Sequence, residues 1–261
     1  MPRPPWTRQG SKYLLRNKIV KLIPPHETYV ELFAGSASIF FNKPKAERNI
    51  LNDLDKGVTN SFKMIMDAPL DIKSFPNPNT IEKAKRFFNK TPLTVQEKMV
   101  HHKIQQSYGF NNKPIERPDQ IYKSTGIPRW LKPLEEWKEY LKGTTITNLD
   151  YEKVVRKYDG PKTFFFIDPP YEDTNEGFGY AEASEFDFER LVKVLKSIKG
   201  NFLLTINDSP RIRNLFKGFH IKAVGVYHPW AHIHLAKNPD ADTSTVRKEL
   251  FIRNYTYHAK P

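Results

Sequence analysis

Short apolar runs alternate with amphipathic helical patterns along most of this chain, and this alternation is the strongest constraint on its fold. The runs are rich in β-branched and aromatic residues, as buried strands are. They lie at residues 28–33, 49–51, 144–149, 163–167, 201–206, 221–227 and 249–255. Helical patterns separate many of them. In the pattern at 11–23, for example, Leu14, Leu15 and Ile19 share one stripe, and another pattern covers 186–198. Strands that alternate with helices predict an α/β fold with a doubly wound, mostly parallel, seven-stranded sheet.

One long segment breaks the alternation, because no convincing strand is found between about residues 69 and 142. Its helical patterns lie at 81–89, 94–108 and 129–141, and a polar, basic loop lies at 111–129. The last pattern is amphipathic and places four residues on an apolar face: Leu131, Leu134, Trp137 and Leu141. We interpret the segment as a helical insertion. Residues 1–66 and 143–261 are then expected to form one domain, and residues 67–142 an inserted module. A helical cap without a binding partner is the alternative.

The net charge and the cysteine content limit the kinds of partner and the kinds of chemistry that this chain can have. Lysine and arginine number 42 against 29 aspartates and glutamates, an excess of 13 positive charges. That excess favours a polyanionic partner, either nucleic acid or an anionic membrane surface. No apolar run approaches the length of a membrane span, and the first residues lack a signal-peptide core, so we expect a cytoplasmic, nucleoid-associated protein without a membrane partner. Cysteine is absent, which excludes disulfides, thiolate zinc sites and a cysteine nucleophile.

The first candidate site is the small-residue turn after the first predicted strand. That strand ends in Phe33-Ala34-Gly35-Ser36-Ala37 and enters a short helical pattern. Small residues let a ligand approach the backbone at the carboxyl end of a strand. The free N–H groups at a helix start suit a carboxylate or a phosphate. A tight turn without a ligand is the alternative.

The second candidate site follows the next predicted strand, at Asp53 and Asp55. An acidic residue at the end of the second strand of such a sheet commonly accepts hydrogen bonds from ribose hydroxyls. Both residues also suit the N-cap of the helix that follows, because their carboxylates accept from free backbone N–H groups. The two roles are compatible.

The third candidate site is the corner Asp168-Pro169-Pro170-Tyr171, which follows a strongly hydrophobic predicted strand. The prolines fix φ and remove backbone donors, so the corner is rigid. It can present the Asp168 carboxylate and a neighbouring carbonyl as two acceptors at fixed spacing, which is what holding both hydrogens of an exocyclic amine requires. Tyr171 offers a face on which a base can stack. A chance strand-turn of this composition is the alternative.

These sites resemble the Dam-type family of adenine-N6 DNA methyltransferases. The Asp168–Tyr171 corner matches the catalytic Asp-Pro-Pro-Tyr motif of that family. Residues 33–37 are similar to its Phe-x-Gly-x-Gly turn, which binds the methionine part of S-adenosylmethionine, with Ala37 replacing the second glycine. Asn52-Asp53 resembles the acidic segment that holds the ribose. The matches run in family order and cover nearly the whole chain.

Three further segments resemble the same family. Residues 9–12 are similar to the N-terminal segment whose lysine, here Lys12, reaches the cofactor, and Arg8 stands where the family carries a tryptophan. Residues 148–151 resemble the segment whose acidic residue accepts from the adenine amine of the cofactor, and residues 248–255 resemble the last strand. The resemblance implies S-adenosylmethionine as cofactor, no metal, and these cofactor contacts: Arg8, Lys12, Phe33, Ala34, Gly35, Ser36, Ala37, Asp53, Asp150 and Asp168.

The local chemistry agrees with that implication. Transfer of a methyl group from a sulfonium to an amine needs the nitrogen lone pair freed from the ring, and acceptors at Asp168 and the next carbonyl favour that geometry. No covalent intermediate is required, whereas methylation at cytosine C5 needs the cysteine that this chain lacks. A base inside a duplex must be flipped out to reach the corner. We expect Tyr171 to stack on it and residues 172–184, including Phe178 and Tyr180, to close over it.

In this family the DNA-recognition module lies between the ribose carboxylate and the adenine-binding aspartate, and the strand-free segment lies in that interval. Double-stranded DNA is therefore the expected partner, and a cognate restriction nuclease is a further one. The candidate DNA contacts combine phosphate-binding cations with groups that read base edges: Tyr108, Asn111, Asn112, Lys113, Arg117, Lys123 and Arg129. For any single lysine, a solvated basic face is the alternative. His228, His232 and His234 lack a nearby carboxylate or cysteine, so we expect a loop and not a metal site there.

Other acceptors and other classes of protein remain as alternatives. Cytosine N4 in DNA and adenine in RNA share the cofactor, but those enzymes more often resemble Ser-Pro-Pro and Asn-Pro-Pro corners, so Asp168 favours adenine in DNA. A catalytically inactive DNA-binding module is expected to lose the corner or the turn, and both are intact. A nicotinamide dehydrogenase is disfavoured because no Gly-x-Gly-x-x-Gly turn is present.

Overall fold

Seven strands form one sheet at the centre of the molecule. In this computed structural model the described residues are 1–6, 10–109, 115–124, 126–171, 186–226 and 247–256. The strands are β1 (Thr28–Glu31), β2 (Arg48–Asn52), β3 (Thr144–Thr147), β4 (Thr163–Ile167), β5 (Asn201–Asn207), β6 (His220–Val226) and β7 (Arg247–Arg253). Their order is β3-β2-β1-β4-β5-β7-β6, and only β7 runs antiparallel to its neighbours. The predicted seven-stranded, mostly parallel sheet is confirmed.

The strand order reverses next to β1. The chain runs outward from β1 through β2 to β3 and then crosses to β4 on the other side of β1. Such a reversal opens a crevice at the carboxyl ends of the two central strands, where α/β folds bind ligands. Glu31 at the end of β1 pairs with Leu51 of β2 and Phe166 of β4. The turns that follow these three strands therefore begin at the same edge of the sheet.

The central strands of the sheet are buried on both faces, which explains why they read as continuous apolar runs. Tyr29, Phe164 and Phe166 belong to a core cluster on one face, whereas Val30 and Phe165 belong to a second cluster on the other. Successive side chains of a strand point to opposite faces, so a short run such as β4 supplies both cores.

Nine helices lie in the described part of the chain. They are α1 (Arg16–Val20), α2 (Lys56–Asp67), α3 (Ile81–Phe88), α4 (Val95–Ser107), α5 (Ile127–Trp130), α6 (Leu134–Leu141), α7 (Tyr151–Tyr158), α8 (Phe188–Ser197) and α9 (Pro210–Leu215). Thr94 caps α4 in a full capping box with Glu97, which satisfies free donors at the helix start. The Lys138 ammonium donates to the carbonyls of Met66 and Ala68 at 2.6 and 2.5 Å and so closes the end of α2. None of the helices in the described residues has the length and apolar character needed to cross a membrane.

The helices between β2 and β3 share one apolar core with the sheet. Ile104 of α4, Leu131 at the end of α5 and Leu141 of α6 are fully buried in the same cluster as Phe164 of β4. The described residues from 68 to 143 contain no strand, as the sequence predicts for the insertion. The division into residues 67–142 and the rest stays a prediction.

Two predicted helices differ from the observed ones. The pattern at 11–23 forms a short 3-10 turn (Lys12–Leu14) and then α1, and Leu14 is 55% exposed, so its placement on the buried stripe is wrong. The change from three to 3.6 residues per turn moves Leu14 off the face that Leu15 and Ile19 occupy. The pattern at 129–141 is divided into α5 and α6 because Pro133 has no N–H to continue the helix. All four side chains expected on its apolar face are buried.

Candidate active site

The turn after β1 is held by the segment after β2. The Gly35 amide donates to Asp53 Oδ2 at 2.9 Å, and the Ala34 amide donates to the Asn52 carbonyl at 2.8 Å. Gly35 has a φ of +51°, which favours glycine, and a Cβ placed there meets no atom within 4 Å. The turn is therefore shaped by backbone conformation and leaves open space above it. Ala37 also has a positive φ, of 50°, where a second glycine would be less strained.

Beneath this turn lies a fully buried carboxyl group. Glu31 accepts from the Tyr29 hydroxyl at 2.8 Å and from the Phe40 amide at 2.6 Å, so it ties β1 to the helical turn at Phe40–Asn42. Burial raises the pKa of Glu31 to about 8. The neighbouring Lys43 ammonium lies 4.2 Å from the Tyr29 ring centroid, and burial lowers its pKa to about 8. The role of Glu31 was not found from the sequence.

The raised pKa of Glu31 has a consequence for stability. The folded protein takes up a proton at Glu31 between the ordinary value of 4.5 and about 8, so this contribution to stability is full below pH 4.5 and is lost as pH rises through 8. Through this group the free energy of unfolding of the wild type should fall by about 2–4 kcal/mol between pH 5 and pH 8. We expect Glu31→Gln to lack this fall. Urea unfolding of both proteins at the two pH values measures the difference. Equal pH dependence in both would contradict the assignment.

The N-terminal segment brings an ammonium group to the same edge. Lys12 is 3% exposed, donates to the Gly10 carbonyl at 2.6 Å, and lies 2.9 Å from Asp168 Oδ1. The Ser11 and Ser36 hydroxyls are 3.2 Å apart, which joins the segment to the turn after β1. Lys12 thus lies between the turn and the corner after β4.

The start of this segment is fixed by the helical insertion. Indole N–H groups of Trp130 and Trp137 donate to the carbonyls of Pro5 and Arg3, at 2.5 and 2.7 Å. Trp6 is buried, with its ring centroid 5.2 Å from that of Phe62. Residues 3–6 are therefore held by the insertion and by α2.

Asp168 lies directly after β4 with 19% of its side chain exposed. Two groups of the described residues contact Oδ1: the Lys12 ammonium and the Thr205 hydroxyl, which donates at 2.9 Å. Burial raises the pKa of Asp168, while Lys12 and Thr205 act in the opposite direction. Pro169 is buried and Pro170 is exposed. Among the described residues, Oδ2 is thus the oxygen left to accept from a ligand.

Tyr171 and Glu249 complete the corner. The Lys12 ammonium lies 4.7 Å from the centroid of the Tyr171 ring. Burial raises the pKa of Tyr171 well above its ordinary value, and the nearby charges of Asp168 and Glu249 add to the effect. Burial also raises the pKa of Glu249, which pairs with Asn207 from the antiparallel strand β7. Glu249 and Thr205 were missed in the sequence. The polar Thr205 in an apolar run was a usable signal, whereas no sequence signal marked Glu249.

The Asp150 carboxylate already accepts hydrogen bonds from a neighbouring arginine. Arg190 donates to both of its oxygens, at 2.7 and 3.0 Å, and also donates to Glu152 at 2.8 Å. Burial opposes ionisation of Asp150, but the hydrogen bonds from Arg190 and from the Glu152 amide outweigh it and lower its pKa. Asp150 also caps α7. Arg190 was not found from the sequence.

The segments after β2 and β3 are joined side by side. Asn148 donates to the carbonyls of Asp53 and Leu54 at 2.8 and 2.7 Å. Asp55 caps α2, one of the two predicted roles of this acidic pair. Asp53 and Asp150 thus lie at the same edge of the sheet as Phe33–Ala37, Lys12 and Asp168. The candidate sites described from the sequence are therefore neighbours in the structure.

The predicted DNA-binding residues are placed less uniformly. The expectation that Tyr108 contacts DNA is wrong, because its side chain is fully buried in the core at the end of α4, four residues after Ile104 and on the same inner face. Arg117, Lys123 and Arg129 are exposed. Other predicted residues lie outside the described ones: Arg8, Asn111, Asn112, Lys113, the 172–184 segment with Phe178 and Tyr180, and the histidines His228, His232 and His234. Within the described residues, no group of three or more potential metal ligands is found.

Comparison with known proteins gives a consistent result. The sequence matches the family described as D12 class N6 adenine-specific DNA methyltransferase over residues 9–108 and 101–227. It is 24% identical over 248 residues to the type II methyltransferase M.CviBI of Paramecium bursaria Chlorella virus NC1A, covering 87% of this chain and 90% of that protein. It is 25% identical over 238 residues to the DNA N-6-adenine-methyltransferase of Escherichia phage P1, covering 82% of this chain and 31% of the phage protein. The solved structure of a putative class I S-adenosylmethionine-dependent methyltransferase from Listeria monocytogenes matches with a TM-score of 0.40 at 10% identity. The match covers 98% of this chain and 62% of the Listeria chain.

Proposed function

This chain belongs to the family of D12 class N6 adenine-specific DNA methyltransferases, and from this premise we propose that it transfers a methyl group from S-adenosylmethionine to adenine N6 at specific sites in double-stranded DNA. The observation that carries the proposal is the convergence of Lys12, Asp168 and Tyr171 beside the turn at 33–37. The proposal further includes base flipping and the absence of a covalent intermediate, which suits a chain without cysteine.

The residues present fit the cofactor. The left-handed turn at Gly35 leaves open space, and we assign residues 33–37, with Lys12, to its methionine part. Each Asp53 oxygen accepts a hydrogen bond from a backbone amide, from Gly35 and from Asp55, so the carboxylate is oriented beside the turn, and we assign it to the ribose hydroxyls. Arg190 orients the Asp150 carboxylate, and we assign the adenine amine of the cofactor to this carboxylate as a further donor to it. Arg8 is assigned to a neighbouring contact. Bound S-adenosylmethionine supplies an electrophilic methyl group on a sulfonium.

Asp168 is the proposed acceptor for the target amine. Lys12 and Thr205 both hold Oδ1, so the carboxylate is oriented and Oδ2 is available to the amine. Ionisation is required for this role, since a protonated carboxyl would donate to the amine instead of accepting from it. Lys12 favours the ionised form of Asp168 against the effect of burial. The positioned carboxylate then disperses the positive charge that develops on nitrogen.

The flipped base is proposed to stack on Tyr171, with Pro169 and Pro170 keeping the corner rigid. The hydroxyl end of Tyr171 lies near Glu249, and its ring lies near the Lys12 ammonium. Both contacts limit the ring's rotation, so the stacking surface is preorganised. Residues 172–184 are proposed to close over the base.

The proposed partner is DNA, which binds to the helical insertion. The proposed DNA contacts are Arg117, Lys123 and Arg129, together with Asn111, Asn112 and Lys113. A cytoplasmic, nucleoid-associated location and a cognate restriction nuclease belong to the same proposal. Arg117 is 71% exposed and lies 3.6 Å from Asp119, and an exposed pair of this kind contributes little to folding.

We expect Arg117→Ala to weaken DNA binding modestly and to reduce the slope of log K against log salt by about 0.9, the value for one phosphate contact. Fluorescence anisotropy of a labelled duplex across a salt series measures both. A slope identical to that of the wild type would move the DNA surface away from Arg117.

The proposal is tested by incubating the protein with radiolabelled S-adenosylmethionine and unmethylated duplex DNA, followed by nucleoside analysis. Label in N6-methyladenine is the expected result, and sequencing of the modified sites gives the specificity. Label in N4-methylcytosine would overturn the acceptor while retaining the cofactor. Label found only with RNA, or none with either nucleic acid, would overturn the DNA substrate or the enzymatic activity.

A further inference from the structure

A cleft in the helical insertion collects positive charge away from the catalytic corner. It is lined by Lys103, Ser124, Gly126, Arg129 and Trp130 and has a volume of about 520 Å³. That volume lies within the usual range of ligand sites, about 300–1,000 Å³. Lys103 extends from α4, whereas Arg129 and Trp130 belong to α5. Two helices thus present their cations to one concave surface.

A hydroxyl group and an aromatic ring of the described residues hold Lys103 in place. Its ammonium donates to the Ser107 hydroxyl at 3.1 Å and lies 5.3 Å from the Trp130 ring centroid. Within the described residues, neither Lys103 nor Arg129 forms an ion pair. Burial, together with the nearby charge of Lys123, lowers the pKa of Lys103 to about 8. Burial of the Lys103 ammonium beside a second cation is unfavourable, and an anion bound at Lys103 would offset that cost.

Trp130 makes the cleft rigid. Its indole N–H donates to the Pro5 carbonyl, and its ring lies 5.8 Å from that of Trp137. The Lys103 ammonium lies over one face of the Trp130 ring. A stacked base would have to displace that cation, whereas a phosphate group would contact it directly. The arrangement therefore favours an anion over an aromatic ligand.

We propose that this cleft binds a backbone phosphate of the DNA substrate, through Lys103 and Arg129. The inference rests on the proposed function, because it takes DNA as the partner, and it adds a phosphate site with Lys103 at its centre. A positioned ammonium and a guanidinium are the usual phosphate binders of proteins. Such a contact fixes the register of the duplex on the insertion without reading its sequence.

The test compares Lys103→Gln and Arg129→Gln with Lys98→Gln. Lys98 is an exposed lysine of the same helix α4, and its separation of five residues from Lys103 turns it by about 140° to another face. Binding of a fluorescein-labelled duplex is measured by anisotropy with S-adenosylhomocysteine present, over a salt series. Thermal unfolding checks that each variant folds. Because Arg129 is exposed, its variant tests the cleft even if Lys103→Gln does not fold.

Each cleft variant is expected to weaken binding by about 3- to 10-fold and to lower the salt slope by about 0.9, equally for different duplex sequences, while Lys98→Gln behaves as the wild type. If the wild type methylates DNA and both cleft variants bind DNA as the wild type does, the phosphate site in the cleft is overturned while the proposed function stands. Equal losses in all three variants would show a diffuse field instead of a site. A loss that depends on sequence with an unchanged slope would assign the cleft to a base. A wild-type protein that binds no DNA would overturn both this inference and the proposed function.

Discussion

Asp168→Ala is expected to lower kcat for methyl transfer by at least about 10³-fold, equivalent to about 4 kcal/mol of activation free energy, with DNA binding nearly unchanged. The carboxylate is oriented by Lys12 and Thr205 through Oδ1, so in the proposed mechanism its removal takes away a positioned charge that accepts from the target amine. Binding should persist because the cations of the insertion lie on other elements. Single-turnover transfer of labelled methyl groups and duplex anisotropy measure the two effects.

A matched control for this prediction is Asp67→Ala. Asp67 is an exposed aspartate at the end of α2, so its replacement makes the same change in net charge away from the corner, and we expect a nearly wild-type rate. Asp168→Asn keeps the shape and one acceptor oxygen but loses the charge, and its rate should fall between those of the wild type and Asp168→Ala. Wild-type turnover in Asp168→Ala would remove Asp168 from its proposed role.

The central strands of the sheet could be predicted from the sequence because they are buried on both faces. A run such as Phe164-Phe165-Phe166-Ile167 has no polar position to place in solvent, so its period and length identify a central strand. Helix boundaries were harder to predict from the sequence. The division between α5 and α6 follows from the missing backbone N–H of Pro133, and the 3-10 turn at Lys12–Leu14 depends on how the N-terminal segment reaches the sheet. Hydrophobic periodicity reports neither.

The site was only partly predictable, for a related reason. Asp168 and the turn at 33–37 follow their strands directly, so strand order alone places them at one edge. Glu249 and Arg190 come from elements distant in sequence, and only the antiparallel insertion of β7 beside β5 and the packing of α8 bring them near. Tyr108 shows the opposite error: a polar neighbourhood suggested exposure, but its helical position four residues after the buried Ile104 turns it inward.

Lys12 is the residue through which the corner and the N-terminal segment are coupled. It is almost fully buried between Asp168, Tyr171 and the Gly10 carbonyl. Two explanations of its presence give different predictions. As a cofactor ligand alone, it would affect the KM for S-adenosylmethionine. As a partner of Asp168, it would also set the pH range in which that carboxylate is ionised.

We expect Lys12→Met to lower kcat at neutral pH by about 10- to 100-fold and to move the acid limb of the kcat profile upward by about 1–3 pH units, the usual effect of one neighbouring opposite charge. The sign follows from the site: Lys12 lowers the pKa of Asp168, so its removal leaves burial unopposed except by Thr205, and ionisation then requires a higher pH. Lys12 also lowers the pKa of Glu249, and this carboxyl should shift in the same direction.

The decisive comparison uses Lys12→Met, Lys12→Arg and Lys18→Met, the last an exposed lysine of α1. Lys18→Met should match the wild type, and Lys12→Arg should retain the pH profile because it retains the charge. Recovery of kcat in Lys12→Met at high pH would show that Lys12 acts through the ionisation of Asp168. A raised KM for S-adenosylmethionine with an unshifted profile would confine Lys12 to the cofactor. Asp168 would then have to stay ionised through Thr205 and solvent alone, which the unfavourable effect of its burial argues against.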